Sequence, residues 1–215
     1  MEEAGIIPVF YHQDAEVCYK VVEACYLGGL RVFEFTNRGD FAHEVFNAII
    51  KRISLEYPDV ILGAGSILDA PTASLYLQMG SNFIVSPILN PEVAKVCNRR
   101  KILWAPGCGT VSEISHAEEL GAEIIKIFPG EQVGGPEFVA SLKGPMPWTS
   151  IMPTGGVEPT LTNLKSWFHA GVTCVGIGSK LITSDIIRDE NYELLQQRVT
   201  ETIELIREIR KNLKK

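Results

Sequence analysis

A lysine interrupts a run of apolar residues that is short enough to form a buried β-strand. This residue, Lys126, lies within the segment Ile124 to Phe128, directly before Pro129. Burying an ammonium group is costly unless the group is paired or loses its proton. Desolvation favours the neutral amine of a lysine, and such an amine can attack a carbonyl carbon to form a Schiff base. The segment therefore has two interpretations, a catalytic lysine inside the protein or a lysine at a strand end with its head group in solvent.

A carboxylate and a guanidinium share one face of another short β-rich segment. Between Val32 and Arg38 the alternation of a strand places Glu34, Thr36 and Arg38 on one side and two phenylalanines on the other. If this segment and the one with Lys126 are strands two and six of an eight-stranded barrel, they lie opposite each other and their polar side chains meet at its centre. The pair is then either a proton shuttle beside a reactive amine or a structural ion pair.

Three further candidate strands end in small residues that allow a ligand to approach the backbone. They end in Gly63-Ala64-Gly65-Ser66, Pro153-Thr154-Gly155-Gly156-Val157 and Gly176-Ile177-Gly178-Ser179. Any one of these turns is also compatible with an ordinary tight turn. The second and third follow consecutive strands, which is typical of the phosphate site that barrels build from the loops after strands seven and eight.

The elements that must position these residues recur along the chain. Segments with the spacing of amphipathic helices separate the candidate strands, and four of them end at a glycine suited to a left-handed helix cap, in Leu27-Gly28-Gly29, Met79-Gly80, Leu120-Gly121 and Ala170-Gly171. Eight strands are predicted, at Ile6–Phe10, Arg31–Thr36, Val60–Ala64, Phe83–Ser86, Ile102–Ala105, Ile124–Phe128, Ser150–Thr154 and Cys174–Gly178.

This repeat predicts a single closed (β/α)8 TIM barrel over about residues 5–187, followed by a C-terminal amphipathic helix over about 190–213, with residues 1–215 forming one domain. We expect the last helix to pack on the barrel or on a neighbouring subunit. An open doubly wound sheet is the alternative, but its phosphate fingerprint is missing because Gly63-Ala64-Gly65 lacks a third glycine at the required spacing.

Composition narrows the classes of function. The formal net charge is −6, which offers no electrostatic footprint for nucleic acid or for an anionic membrane. The five cysteines are odd in number and contain no Cys-x-x-Cys pair, so we expect reduced, mostly buried thiols and neither a disulfide framework nor a zinc site. The acidic N-terminus leads into only five apolar residues, which predicts no signal peptide and a cytoplasmic location. We interpret His12 as an ordinary loop histidine and find nothing near Cys108 in sequence that would activate it.

The chain resembles the family of 2-keto-3-deoxy-6-phosphogluconate (KDPG) and 4-hydroxy-2-oxoglutarate (KHG) aldolases. The resemblance runs from about residue 5 to residue 183 and rests on an ordered set of motifs, Glu34-Phe35-Thr36-Asn37-Arg38, Gly63-Ala64-Gly65-Ser66, Ser86-Pro87, Lys126-Ile127-Phe128-Pro129, Thr154-Gly155-Gly156-Val157 and Gly178-Ser179. It implies a class I aldolase on a (β/α)8 barrel, with a covalent Schiff base, no metal and no other cofactor. It also implies a homotrimer that acts on small keto acids and aldehydes.

The resemblance also implies a role for each matching residue. Lys126 is similar to the Schiff-base lysine and Glu34 to the general acid and base. The remaining residues resemble the substrate-binding positions of the family, with Arg38 and Ser66 at the pyruvate carboxylate, Pro87 and Phe128 as walls of the pyruvate pocket, and Gly155, Gly156 and Ser179 at the phosphate. The chain departs from the family pattern at Ser66, Asn37, Gly130 and Ile177, which affects the expected aldehyde specificity more than the amine chemistry.

The resulting hypothesis is cleavage of KDPG, or of its galactose epimer, to pyruvate and glyceraldehyde 3-phosphate. Three alternatives stay open. The first is a KHG aldolase that yields pyruvate and glyoxylate. The second is a phosphosugar isomerase or synthase that uses Glu34 without covalent chemistry, and the third is a non-catalytic metabolite sensor that keeps the pocket.

Overall fold

The structure, a computed structural model, describes residues 1–213 and contains parallel strands that alternate with helices. Every strand pair is parallel, so the carboxyl ends of all strands lie at one edge. Each of the eight predicted strand positions is occupied by a strand, and one more short strand follows the fifth. The strands are β1 (Ile6–Phe10), β2 (Val32–Thr36), β3 (Ile61–Gly65), β4 (Phe83–Val85), β5 (Leu103–Ala105), β6 (Gly107–Cys108), β7 (Ile125–Ile127), β8 (Ile151–Pro153) and β9 (Val175–Ile177).

The prediction of a closed eight-stranded barrel is wrong. The strands form a curled six-stranded sheet in the order β5-β4-β3-β2-β1-β9 and a separate three-stranded sheet in the order β6-β7-β8. Proline explains both interruptions, because it lacks the N–H that a sheet ladder requires. Pro106 separates β5 from β6 at the point where the chain passes from one sheet to the other. Pro153 ends β8, and a single parallel bridge between Thr154 and Gly176 joins that end to β9.

Inside the curled sheets, the side chains near the starts of the strands are apolar, and those two residues further along are polar. Val32 and Ile124 belong to a small buried cluster inside the sheets, whereas most buried apolar residues fill the space between strands and helices. Successive side chains of a strand alternate between its faces. Two residues further along the same strands, Glu34 and Lys126 therefore face the same interior.

The helices begin and end at residues suited to those positions. Side chains of Asp14, Asp69, Asn90, Thr110 and Thr160 accept hydrogen bonds from backbone N–H groups at helix starts. The glycine helix ends are confirmed, because Gly29, Gly80, Gly121 and Gly171 have φ between +87° and +104°. The helices are α1 (Ala15–Leu27), α2 (Ala42–Glu56), α3 (Ala70–Gln78), α4 (Pro91–Arg100), α5 (Val111–Glu119), α6 (Gly135–Lys143), α7 (Leu161–His169), α8 (Ser184–Arg188) and α9 (Tyr192–Leu213).

The C-terminal helix α9 packs against α1 and α7 of the same chain, which was one of the two expected locations. Its buried face includes Val199, which lies so close to Gly28 that a Cβ on this glycine would be 2.8 Å from the Val199 Cβ. Arg210, near the end of the helix, donates hydrogen bonds to the carbonyl oxygens of Glu2 and Thr173 at 2.6 Å and 2.5 Å. The helix therefore fastens the N-terminal segment to the body of the domain.

Two expectations from composition can be compared with the structure. All five cysteines are buried free thiols. Within residues 1–213, no helix is both long enough and apolar enough to cross a bilayer. The cytoplasmic location stays a prediction.

Candidate active site

Lys126 and Glu34 meet inside the protein, as the alternation of their strands indicated. The Nζ atom of Lys126 lies 3.6 Å from Oε1 of Glu34, and the two residues are 5% and 0% exposed. This separation is an ion-pair distance and is longer than a hydrogen bond. Among residues 1–213, neither carboxylate oxygen of Glu34 has a hydrogen-bond partner. Because buried polar atoms are almost always satisfied, the carboxylate is available to a group that enters the site.

Glycines on the neighbouring strands create the space for this pair. A Cβ on Gly65 would lie 2.6 Å from Cδ of Glu34, so any other residue there would displace the carboxylate. Gly107 is the β6 register partner of Lys126, and a Cβ there would lie 2.9 Å from Cα of Pro87. The close approach of backbone and side chains therefore depends on the absence of a side chain at both positions.

Arg38 and Ser66 lie together at the carboxyl ends of β2 and β3. The Nε atom of Arg38 donates a hydrogen bond to Oγ of Ser66 at 3.4 Å. Ser66 has φ of +60°, a left-handed conformation that is uncommon outside glycine and is often found at functional sites. The backbone N–H of Asn37 donates to the carbonyl of Gly65 at 2.8 Å, and its side chain accepts from the hydroxyl of Tyr76 at 2.9 Å. The unusual Asn37 therefore links the two strand ends that carry Arg38 and Ser66.

The aromatic ring of Phe128 covers the lysine. The ring centroid of Phe128 lies 5.3 Å from Nζ of Lys126, within the range of a cation–π contact. Phe128 follows β7 and is half-buried. Pro87 is also half-buried, and its backbone lies beside Gly107, the register partner of Lys126. Both residues are thus placed around Lys126, one directly and one through its strand neighbour.

The turn after β8 has the backbone conformation that its glycines predicted. Gly155 and Gly156 have φ of +93° and +77°. Their carbonyl oxygens already accept hydrogen bonds, from the N–H of Glu131 at 3.1 Å and from Nδ2 of Asn163 at 3.0 Å. Backbone N–H groups are therefore the polar groups that this turn can offer to an anion.

A cavity of about 700 Å³ lies at the carboxyl edge of the strands. Of the predicted site residues, Arg38, Phe128, Gly155, Gly156 and Ser179 line it. The other four do not line it. Lys126 and Glu34 lie one interior layer below, Ser66 is joined through Arg38, and Pro87 is joined through Gly107.

Several residues of the cavity wall had no assigned role in the sequence, and Thr154, His12 and Lys180 are three of them. Thr154 contributes a buried Oγ1 atom that has no hydrogen-bond partner among residues 1–213, and Gly176 leaves room for it. Thr154 directly precedes the predicted phosphate turn, which was the available signal. His12, interpreted as a loop histidine, and Lys180, which follows Ser179, also line the cavity. By contrast, burial raises the pKa of the Cys108 thiol to about 12, so this cysteine is not a nucleophile.

Comparison with known proteins identifies the family of the chain. The family model described as the aldolase family of KDPG and KHG aldolases matches residues 1–198. A KHG/KDPG aldolase of Escherichia coli strain K12 is 30% identical over 200 residues, which are 93% of this chain and 91% of that protein.

Solved structures share the fold. A KDPG aldolase from Legionella pneumophila, with pyruvate captured as a covalent carbinolamine intermediate, has a TM-score of 0.84 at 26% identity and covers 94% of this chain and 96% of its own. A cube-shaped protein cage designed by fusing symmetric oligomeric domains has a TM-score of 0.85 at 25% identity and covers 98% of this chain and 74% of its own. The family match over residues 1–198 shows that the chain belongs to the KDPG and KHG aldolase family and is a carbon–carbon lyase.

Proposed function

We propose that this aldolase is a class I enzyme that cleaves KDPG, or its galactose epimer, to pyruvate and glyceraldehyde 3-phosphate. The observation that carries the proposal is the buried contact of Lys126 with Glu34, 3.6 Å apart, beneath a cavity that is lined by Arg38 and by the glycine turns after β8 and β9. An amine beside a carboxylate in a nearly dry interior is suited to imine chemistry with acid–base assistance.

The reaction begins when the neutral amine of Lys126 attacks the C2 carbonyl carbon of the keto acid. The carboxylate of Glu34 takes up the proton that the Lys126 ammonium group gives up to become neutral, and it passes this proton to the carbinolamine hydroxyl, which leaves as water. The product is a protonated imine, which can accept electrons from the neighbouring C3–C4 bond. The two oxygens of Glu34 have no hydrogen-bond partner within residues 1–213, which supports a role in this proton transfer.

Cleavage follows when Glu34 removes the proton of the C4 hydroxyl, directly or through a water molecule. The C3–C4 bond breaks, the aldehyde half leaves, and the electron pair moves into the enamine on Lys126. Glu34 then returns a proton to C3, and water hydrolyses the imine to release pyruvate and restore the amine. One group thus serves as acid and base in turn, which requires a carboxylate with free acceptor positions.

The rest of the site supports a substrate that is charged at both ends. Arg38 offers a forked guanidinium to the pyruvate carboxylate, assisted by the hydroxyl of Ser66. Pro87 and Phe128 wall the pyruvyl group. Gly155, Gly156 and Ser179 bind the phosphate. Cleavage of KHG would leave this phosphate end unused, so the two glycine turns favour the phosphorylated substrates.

Reductive trapping tests the proposal. Borohydride added together with pyruvate is expected to add one reduced pyruvyl group to Lys126, detected by intact mass and peptide mapping. A non-covalent isomerase or a metabolite sensor would leave the mass unchanged, and that result would reject the proposed function. A retro-aldol assay of KDPG, its galactose epimer and KHG, coupled to pyruvate detection, then ranks the substrates.

Replacing Gly65 with alanine tests whether the carboxylate position matters. The added Cβ would overlap the carboxylate of Glu34. Because a displacement of about 1 Å costs roughly 10²-fold in rate, we expect kcat to fall by about this factor. Gly144→Ala is the control, since Gly144 follows α6 with φ of −60° and a Cβ there would approach its nearest neighbour, the carbonyl oxygen of Ser141, only to 3.4 Å. Equal activity of Gly65→Ala and the wild-type protein would show that Glu34 is not the acid–base group.

We also infer that the protein is a homotrimer, as the family resemblance implies. A fold relative was used as a symmetric oligomeric domain. Leu68, Ile88 and Val111 are exposed apolar residues at 52%, 46% and 46%, and they follow strands at the same edge of the sheets. Exposed apolar side chains at one edge are suited to an interface between subunits. Sedimentation is expected to give a mass near three times 23.7 kDa, and a monomer mass would contradict the inference.

A further inference from the structure

Lys180 stands between the candidate active site and a neighbouring groove. It follows Ser179 at the carboxyl end of β9 and lines the active-site cavity. It also lines a second groove of about 420 Å³, to which Glu158 contributes. The Nζ atom of Lys180 lies 2.7 Å from Oε1 of Glu158, and the two side chains are 63% and 42% exposed. The lysine side chain is therefore a wall of both spaces.

The cations that line the active-site cavity differ in how firmly they are held. Arg38 is joined to Ser66, at the end assigned to the pyruvate carboxylate. Arg188 is held by two parallel hydrogen bonds to Asp189, at 2.7 Å and 2.8 Å. Lys180 has a single exposed ion pair, the kind of contact that contributes least to stability. Lys180 is thus held by one contact that another anion can replace, and it is the cation that directly follows Ser179.

The phosphate end of the cavity needs such a cation. The side chain of Glu131 packs against Gly156, where a Cβ would lie 2.9 Å from its Oε2 atom. Glu158 lies on the other side of Lys180. A phosphate dianion at the glycine turn would therefore be repelled by two carboxylates. Without Lys180, only backbone N–H groups would offset this repulsion. The charge of Lys180, next to Ser179, is placed to compensate for it.

We propose that Lys180 binds the phosphate of the substrate by moving its ammonium group from Glu158 into the active-site cavity. This inference rests on the proposed function. It assigns the enzyme's specificity for phosphorylated substrates to Lys180, which lies beside the glycine turns. A hydrogen bond from an ammonium group to a phosphate dianion is stronger than an exposed ion pair with a carboxylate. Phosphate binding and release of Glu158 are therefore coupled.

Calorimetric binding of glycerol 3-phosphate to the full chain tests this role without requiring turnover. Lys180→Met is expected to weaken binding at least about tenfold, as for loss of a charged hydrogen bond. Lys165→Met, on the exposed side of α7, is the matched control and should bind as the wild-type protein does. Arg188→Met should weaken binding less than Lys180→Met. Equal binding by Lys180→Met and Lys165→Met would overturn the inference.

The partner of the lysine provides a second test. Glu158→Gln removes the competing carboxylate, so we expect glycerol 3-phosphate to bind several-fold more tightly than to the wild-type protein. In the Lys180→Met background the same substitution should have a much smaller effect. If Glu158→Gln acts equally in both backgrounds, the glutamate acts by repulsion alone and the exchange of partners is wrong.

The inference and the proposed function can fail separately. Lys180→Met should raise the KM for a phosphorylated substrate by a factor similar to its effect on binding, with kcat nearly unchanged, and pyruvate trapping on Lys126 should proceed as before. If wild-type trapping fails while glycerol 3-phosphate still binds through Lys180, the covalent mechanism is wrong and the phosphate role stands. If trapping succeeds and glycerol 3-phosphate does not bind the wild-type protein, the role of Lys180 is wrong and the aldolase mechanism stands.

Discussion

Replacing Lys126 with methionine is expected to abolish aldol cleavage, with kcat reduced by about 10⁵-fold or more, as for loss of a covalent nucleophile. Methionine keeps the length of the side chain and lacks the amine, so neither the imine nor its electron-accepting capacity can form. Pyruvate release in a coupled assay measures the loss. Intact mass after treatment with pyruvate and borohydride should be unchanged, whereas the wild-type protein gains one pyruvyl group.

The fold must be monitored in this experiment, because methionine removes the one cation that, among residues 1–213, lies within 4 Å of the Glu34 carboxylate. Breaking a buried ion pair by removing one partner costs about 3–5 kcal/mol. The double variant Glu34→Gln, Lys126→Met should recover much of this stability in thermal unfolding without recovering activity. Lys165→Met is the matched control and should retain full activity and full trapping. Trapping that persists in Lys126→Met would mean that another amine is the nucleophile.

Glu34→Gln is expected to lower kcat by about 10²–10⁴-fold, the usual contribution of a general acid and base. Glutamine matches glutamate in shape but cannot take up and return a proton. The sharpest measurement is exchange of the methyl protons of pyruvate with D₂O, followed by NMR, since this exchange requires proton transfer at C3 of the enamine. The exchange should slow by a similar factor, while the trapped pyruvyl adduct on Lys126 still forms on long incubation.

A matched control separates this effect from the loss of a charge alone. Glu137 is an exposed carboxylate at the start of α6, and Glu137→Gln should leave both cleavage and exchange unchanged. If Glu34→Gln reduces trapping as severely as Lys126→Met, then Glu34 is required to form the imine and not only to move protons afterwards. If exchange stays at the wild-type rate, another group returns the proton and the assigned role is wrong.

The local elements of this fold are predictable because they depend on nearby residues. Apolar runs predicted the strands, and the glycines at helix ends have the left-handed conformation that their positions indicated. The alternation within β2 also indicated that Glu34 faces the interior, where it meets Lys126. Closure of the barrel could not be read in this way, because it depends on hydrogen bonds between distant strands. Pro106 and Pro153 remove hydrogen-bond donors at the two places where the barrel is interrupted. The prediction from the eightfold repeat did not take these prolines into account.

The arrangement of the candidate site was predictable only in part. Residue types and order located Arg38, Phe128 and the glycine turn, and the structure brings them to one cavity. The pairing of Lys180 with Glu158 and the unpartnered hydroxyl of Thr154 depend on side-chain conformation and on burial from several elements at once. The order and spacing of residues in the sequence do not indicate these side-chain contacts. The catalytic and binding roles themselves stay predictions until the variants are measured.

The division of the strands into two sheets has a consequence for the reacting groups. Lys126 belongs to the three-stranded sheet, whereas Glu34 belongs to the six-stranded one. The separation between amine and carboxylate therefore depends on how the two sheets are joined, through Pro106 between β5 and β6 and through the bridge between Thr154 and Gly176. A substitution that shifts one sheet against the other would change this distance without altering any residue in contact with the substrate. The acid–base distance thus depends on the packing between the sheets as well as on the two residues themselves.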